Sequence, residues 1–151
     1  LEIPLNLFKE NEIGPAEALS KYLKENLNLK FSEIAILLNR DQRTVALNYH
    51  HAIKKKKDKI IIRKTKITIP INILSDRKLS ILESITYYLK NKEIRNSEIA
   101  KLLNKDPRNV WIFYSRAINK ITKPWLVLRF PKNLLQPIYY LKIVDFFRIK
   151  K

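Results

Sequence analysis

Among the residues of this sequence that could do chemistry, lysine and arginine stand out, and their chemistry is the binding of anions. They number 31 against 14 Asp and Glu, which gives a formal charge of +17. Segment 54–66 contains eight of them and one Asp, whereas residues 1–53 contain six against seven acidic residues. Cationic side chains at this density bind phosphates and other polyanions. We therefore expect a polyanionic partner: DNA, with RNA as the alternative. The segment that would clamp a nucleic-acid backbone comprises Lys54, Lys55, Lys56, Lys57, Lys59, Arg63, Lys64 and Lys66.

Residue types that support catalysis or metal binding are scarce. The chain has no Cys, no Met and a single glycine, Gly14, so thiol chemistry and a glycine-rich phosphate loop are excluded. His50 and His51 are adjacent and diverge on a helix, which makes them a poor metal pair. We predict a protein that is not an enzyme and has no cofactor and no metal. No stretch approaches the roughly 20 apolar residues of a membrane span, so we expect no membrane partner and a cytoplasmic, nucleoid-associated location.

The sequence contains an internal duplication. The segment IPLNLF from Ile3 recurs as IPINIL from Ile69, and SEIAILLNRDQR from Ser32 recurs as SEIAKLLNKDPR from Ser97. The offset is 66 residues before Asn26 and 65 after it. We predict two repeats, 1–57 and 69–121, joined by a basic extended linker, 58–68. Residues 122–151 would form an extended segment and the start of a truncated or degenerate third repeat.

Each repeat carries the signals of three helices. Ser80 with Glu83 predicts a capping box, and Pro15 suits the first position of the matching helix. The second helix is predicted at Ser32–Leu38 and at Ser97–Leu103. The predicted fold is therefore mainly α, with two tandem three-helix units joined by short extended segments. The linkers 60–70 and 125–131 are rich in β-formers and would pair together or lie on the helices.

A turn and a third helix follow in both copies. Asn39 and Asn104 suit a left-handed turn position, and Asp41 and Asp106 suit the cap of the third helix. The spacing resembles the helix-turn-helix domains of LuxR-type response regulators and of sigma factor region 4. The resemblance rests on SEIAILLNRDQRTV, on SEIAKLLNKDPRNV, and on Leu79, Ser80, Glu83, Tyr114 and Ala117.

The resemblance implies that the third helix enters the major groove of DNA, with its N-terminal residues at the base edges. Arg43 and Arg108 are then the best candidates for direct readout, because guanidinium matches guanine O6 and N7. Gln42 would read adenine, and Thr44 or Asn109 would hold a phosphate. The remaining candidates for nucleic-acid contact are His50, Trp111, Ser115 and Arg116, together with the clamping segment described above.

The middle of the third helix is apolar, which favours an alternative role. Trp111, Ile112 and Phe113 stand where a regulator often carries polar groups, so they would contact thymine methyls or form a protein interface or self-association surface. The first hypothesis is a DNA-binding transcription regulator or chromatin-associated factor. The alternative is a structural or assembly protein, such as a filament, capsid or ribosome-associated subunit, whose helical units pack around or beside nucleic acid.

Overall fold

The computed structural model describes residues 1–62 and 67–122, and within them the chain is mainly helical, as predicted. The first repeat contains strand β1 (Glu2–Pro4), the 3-10 helix η1 (Leu5–Lys9), and helices α1 (Pro15–Glu25), α2 (Phe31–Leu38) and α3 (Gln42–Lys55). The second repeat contains β2 (Thr68–Pro70), η2 (Ile71–Leu74), α4 (Ile81–Asn91), α5 (Asn96–Leu103) and α6 (Pro107–Ile121). No helix in these ranges has both the length and the apolar character needed to cross a membrane.

The chain divides into two units, 1–117 and 118–151. The first unit holds both repeats except for the last turn of α6. Of the second unit, the structure describes only residues 118–122, where the Thr122 amide donates to the Ile118 carbonyl at 2.8 Å. The predicted third repeat lies outside the described residues, apart from Thr122.

Helices α1, α2, α4 and α5 each have a glutamate as their third residue. Each carboxylate accepts a hydrogen bond from the backbone amide of the residue that precedes its helix, as Glu83 does from Ser80 at 2.8 Å. The equivalent distance from Gly14 to Glu17 is also 2.8 Å. These bonds satisfy amides that a helix start leaves unpaired, and the negative charge suits the helix dipole. The predicted capping box at Ser80 is confirmed, and so is Pro15 as the first residue of α1.

An asparagine in the left-handed conformation ends α2 and α5. Asn39 has φ 49° and ψ 48°, and Asn104 has φ 52° and ψ 50°, as predicted. Asparagine tolerates this conformation better than other residues with a β-carbon. Each turn reverses the chain within a few residues, so the third helix begins at Gln42 or Pro107. Helices α2 and α5 start one residue earlier than predicted, at Phe31 and Asn96.

The two repeats share one hydrophobic core. It includes Leu19, Leu23 and Ile34 from the first repeat and Ile85 and Ile99 from the second, all of them at most 1% exposed. η1 packs against α1 of its own repeat and against α5 of the other, and η2 packs against α4 and against α2 in the same way. Each 3-10 helix therefore packs against both repeats and links them.

The strand pairing also joins the repeats. β1 and β2 are antiparallel, with Glu2 opposite Pro70, Ile3 opposite Ile69 and Pro4 opposite Thr68. The sequence left open what the extended linker 60–70 would pair with. Its last residues pair with the start of the first repeat, and Ile3 and Ile69 are both fully buried.

Candidate nucleic-acid interface

The first turns of α3 and α6 present one arginine each. The carboxylate of Asp41 accepts the Arg43 backbone amide at 2.8 Å, and that of Asp106 accepts the Arg108 amide at 2.7 Å. Each aspartate thus caps its helix, as predicted, and fixes the backbone that carries the arginine. Both arginine side chains are exposed, and neither has an ion pair among the described residues.

An aliphatic residue follows each arginine at a spacing of four. Leu47 is 53% exposed and Ile112 is 41% exposed. Residues four apart share a face of a helix, so each third helix offers a guanidinium and an apolar side chain to the same partner. The opposite face is buried through Val45 and Val110, which are at most 1% exposed. Burial of one face therefore leaves the arginine face free for a ligand.

The other predicted base and phosphate contacts lie on the same two helices. Gln42, Thr44 and His50 are exposed on α3. On α6, Asn109, Trp111 and Arg116 are exposed, whereas Ser115 is half-buried. The histidines diverge as expected: the His50 ring lies 5.7 Å from the Tyr49 ring, and His51 Nδ1 lies 3.9 Å from Glu17.

The lysine run begins at Lys54, in the last turn of α3, and continues beyond the helix. A buried lysine holds it there. Lys21 is fully buried, and its amine donates to the carbonyl of Lys56 at 2.8 Å and to that of Lys57 at 3.3 Å. It also lies 3.2 Å from the Glu25 carboxylate. A cation at a helix C-terminus satisfies carbonyls that have no partner within the helix and opposes the negative end of the dipole. Lys21 therefore anchors the start of the run to α1.

Two members of the run are neutralised by the first repeat. Lys55 Nζ lies 2.9 Å from Glu17, and Lys56 Nζ lies 2.9 Å from Glu10. Burial alone would raise the pKa of Glu17, but its hydrogen bonds with Lys55 and the Gly14 amide, and the charge of Lys55, lower it overall. The hydrogen bond to Glu10 raises the pKa of Lys56 against the opposing effect of burial. These two ammonium groups already have acidic partners.

Three other lysines of the segment remain available. Lys54, Lys57 and Lys59 are exposed, with no ion pair to any described residue. The predicted contacts Arg63, Lys64 and Lys66 lie outside the described residues. Arg43 and Lys55 are separated by 12 residues of α3, or about 18 Å at 1.5 Å per residue. The arginine and the lysine run therefore lie at opposite ends of the helix and would contact different parts of a ligand.

The apolar residues of α6 are partly held by an aromatic cluster. Trp111 is 40% exposed, and its ring lies 6.1 Å from that of Tyr114. Tyr114 stacks on Tyr87 at 6.4 Å, and Lys90 Nζ lies 5.8 Å from its ring centroid. Burial, together with Tyr87, raises the pKa of Tyr114 to about 12. Of the predicted patch, Trp111 and Ile112 are exposed, whereas Phe113 is half-buried.

Sequence reasoning missed the residues that join each turn to the other repeat. Arg40 donates to the carbonyls of Asp76 at 2.9 Å and Leu79 at 3.3 Å, and Lys105 donates to Asn11. It also missed Lys21 as an anchor. The sequence does contain one sign of the ion pair: Lys21 and Glu25 lie four residues apart, on one face of a helix. The equivalent residues of the second copy are Tyr87 and Asn91.

Comparisons with protein-family models, with curated proteins and with solved structures found no match to this chain. The candidate interface is therefore defined by the residues of the two third helices and by the charge around them.

Proposed function

We propose that the protein binds duplex DNA through the first turns of α3 and α6, as a transcription regulator or chromatin-associated factor. One observation carries the proposal: both repeats place an exposed arginine, Arg43 or Arg108, two residues after the Asp cap that follows a left-handed turn. An arginine at this point of a third helix reaches the base edges when the helix enters the major groove.

The charge distribution supports a duplex as the partner. The formal charge of +17 provides long-range attraction to phosphate. Lys54 is exposed in the last turn of α3, about 16 Å along the helix from Arg43, and Lys57 and Lys59 are exposed just after the helix ends. A duplex is long enough to meet both ends of such a helix, with bases at the arginine and phosphates at the lysines.

Fluorescence anisotropy with a labelled duplex tests the proposal. Wild-type protein is titrated at several salt concentrations between about 50 and 200 mM, and log Kd is plotted against log salt. We expect tight binding at low salt that weakens steeply as salt rises. The double variant Arg43→Ala/Arg108→Ala should lose at least about tenfold in affinity, since one bidentate arginine contact is worth about 1–3 kcal/mol.

The matched control is Arg77→Ala, which removes an exposed arginine that lies in neither third helix. At each salt concentration in this range its affinity should stay within about threefold of the wild type, because one charge changes the salt slope by at most about one unit. Equal losses in control and in single Arg43→Ala protein would show that only overall charge matters. Absence of binding to any duplex at low salt would refute the proposed function.

The exposed apolar residues support the alternative function, assembly into a larger structure. Trp111 and Ile112 on α6, with Leu47 on α3, are each at least 40% exposed. Sedimentation velocity over a range of protein concentrations, without nucleic acid, tests this role. Self-association that Ile112→Ser abolishes, together with wild-type DNA affinity in that variant, would favour assembly through these residues. A monomer at all concentrations would refute it.

A further inference from the structure

The contacts between the repeats are reciprocal. Glu2 of β1 matches Thr68 of β2 in the repeat alignment, and Pro4 matches Pro70. Glu2 nevertheless pairs with Pro70, and Pro4 pairs with Thr68, so that Ile3 faces its own repeat equivalent, Ile69. Only a two-fold rotation brings equivalent residues together in this way, as in the interface of a symmetric dimer.

Hydrogen bonds beside the strands obey the same relation. The Leu5 amide donates to the Ile67 carbonyl at 3.2 Å, and the Ile71 amide donates to the Leu1 carbonyl at 3.0 Å. Leu5 and Ile71 are repeat equivalents, and so are Leu1 and Ile67. Each bond is therefore the image of the other.

The helices and turns extend the relation away from the strands. η1 packs on α5 while η2 packs on α2, and α1 packs on its own equivalent, α4. Arg40 reaches the loop between η2 and α4, and its equivalent Lys105 reaches the loop between η1 and α1. The strand pairing, the hydrogen bonds beside it and the contacts of the helices and turns thus all indicate a pseudo-two-fold axis between Ile3 and Ile69.

We propose that the ligand of this chain is duplex DNA with two half-sites arranged as an inverted repeat, each half bound by one third helix. The inference rests on the proposed function. A tandem duplication with flexibly joined units would favour half-sites in direct order. Elements related by a two-fold axis instead contact equivalent bases only where the sequence recurs on the opposite strand, as it does for symmetric dimers. The two repeats of one chain then bind the two half-sites as the two subunits of a symmetric dimer do.

The two halves of the site should be alike in part. Arg43 and Arg108 are equivalent, and so are the aliphatic residues Leu47 and Ile112. Each half therefore contains a guanine for the arginine and a thymine whose methyl group meets the aliphatic side chain. The other candidate contact positions differ between the copies, so the inverted repeat is imperfect. The differing pairs are Gln42 with Pro107, Thr44 with Asn109, and His50 with Ser115.

Selection from a pool of random duplexes tests the inference. The full chain is used, with a random core of about three helical turns (~30 base pairs). We expect enriched sequences to contain two related guanine-bearing motifs on opposite strands. Synthetic duplexes then carry the same two motifs at the same spacing, in inverted or in direct order. The inverted order should bind at least about tenfold more tightly, because only it engages both helices.

Variants assign each half to its helix. Selection with Arg43→Ala should keep one motif and lose the guanine preference in the other, and Arg108→Ala should do the converse. Uracil in place of the thymine of one half removes only the methyl group and should weaken binding a few-fold. Preference for the direct order, or DNA binding without any enriched motif, would overturn the inference and leave the proposed function standing. Failure to bind any duplex would overturn both.

Discussion

Replacement of Lys21 by methionine should destabilise the protein more than any other lysine change in α1. The Lys21 side chain is fully buried, and its amine has three partners: the carbonyls of Lys56 and Lys57 and the carboxylate of Glu25. Methionine fills a similar volume, so packing is largely kept and the polar contacts are lost.

The magnitude follows from those contacts. Each hydrogen bond from a charged donor contributes about 1.5–3 kcal/mol, and removal of one partner of a buried ion pair costs about 3–5 kcal/mol. Relief of the cost of burying an ammonium group opposes these losses, and the Glu25 side chain, 21% exposed, regains some water. We expect the free energy of unfolding to fall by about 3 kcal/mol.

Urea denaturation followed by circular dichroism measures this change, with linear extrapolation to water. The matched control is Lys24→Met on the same helix, where the lost contact is an amine 4.9 Å from the Phe31 ring centroid. The control should lose about 1 kcal/mol or less. A loss below about 1 kcal/mol in Lys21→Met, equal to that of the control, would refute the anchoring role.

Three further predictions concern single residues. Asn39→Ala should destabilise by about 1–2 kcal/mol, because alanine disfavours the left-handed conformation, whereas Asn39→Gly should not; thermal unfolding distinguishes them. Tyr114→Phe should remove the tyrosine that ionises near pH 12 in an absorbance titration. It should not reduce stability at neutral pH, since the Tyr114 hydroxyl has no partner among the described residues. In the wild type, the stability linked to this group falls as pH rises from about 10 to 12. Lys55→Ala should raise the pKa of Glu17, which NMR can follow during a pH titration, and an unchanged pKa would contradict the ion pair. In the wild type, the stability linked to Glu17 is present above about pH 4.3 and is lost as pH falls through the lowered pKa.

The local structure of each repeat is predictable because its signals are local. Glu83 lies three residues from the amide that it caps, and Asn39 adopts its left-handed turn from its own backbone preference. Apolar residues at helical spacing then identify the buried face. For these reasons the mainly helical fold and the positions of the three helices of each repeat follow from the sequence.

The contacts between repeats are less predictable because they join distant residues. Two similar segments, from Ile3 and from Ile69, could each have paired elsewhere, and no local preference selects their mutual pairing. The burial of Lys21 also contradicts what its charge suggests, since an isolated lysine is almost always exposed. Its partners Lys56 and Lys57 lie more than thirty residues later in the chain.

The charge of the lysine run shows the same limit at the candidate site. By composition, segment 54–66 is a uniform basic arm. In the structure, Glu10 and Glu17 neutralise Lys56 and Lys55, so the available lysines are fewer than the sequence suggests. Arg43 and Arg108 are both exposed, and the Asp cap that precedes each of them is predictable from the sequence.

NMR can show whether the first turns of α3 and α6 bind DNA. Backbone amide shifts of the full chain are recorded during titration with a duplex. We expect the largest shifts at Arg43 and Arg108 and their neighbours, with smaller ones at the exposed lysines in the last turn of α3 and just after it. Binding that leaves both first turns unshifted, or shifts confined to the region of Trp111 and Ile112, would contradict this expectation.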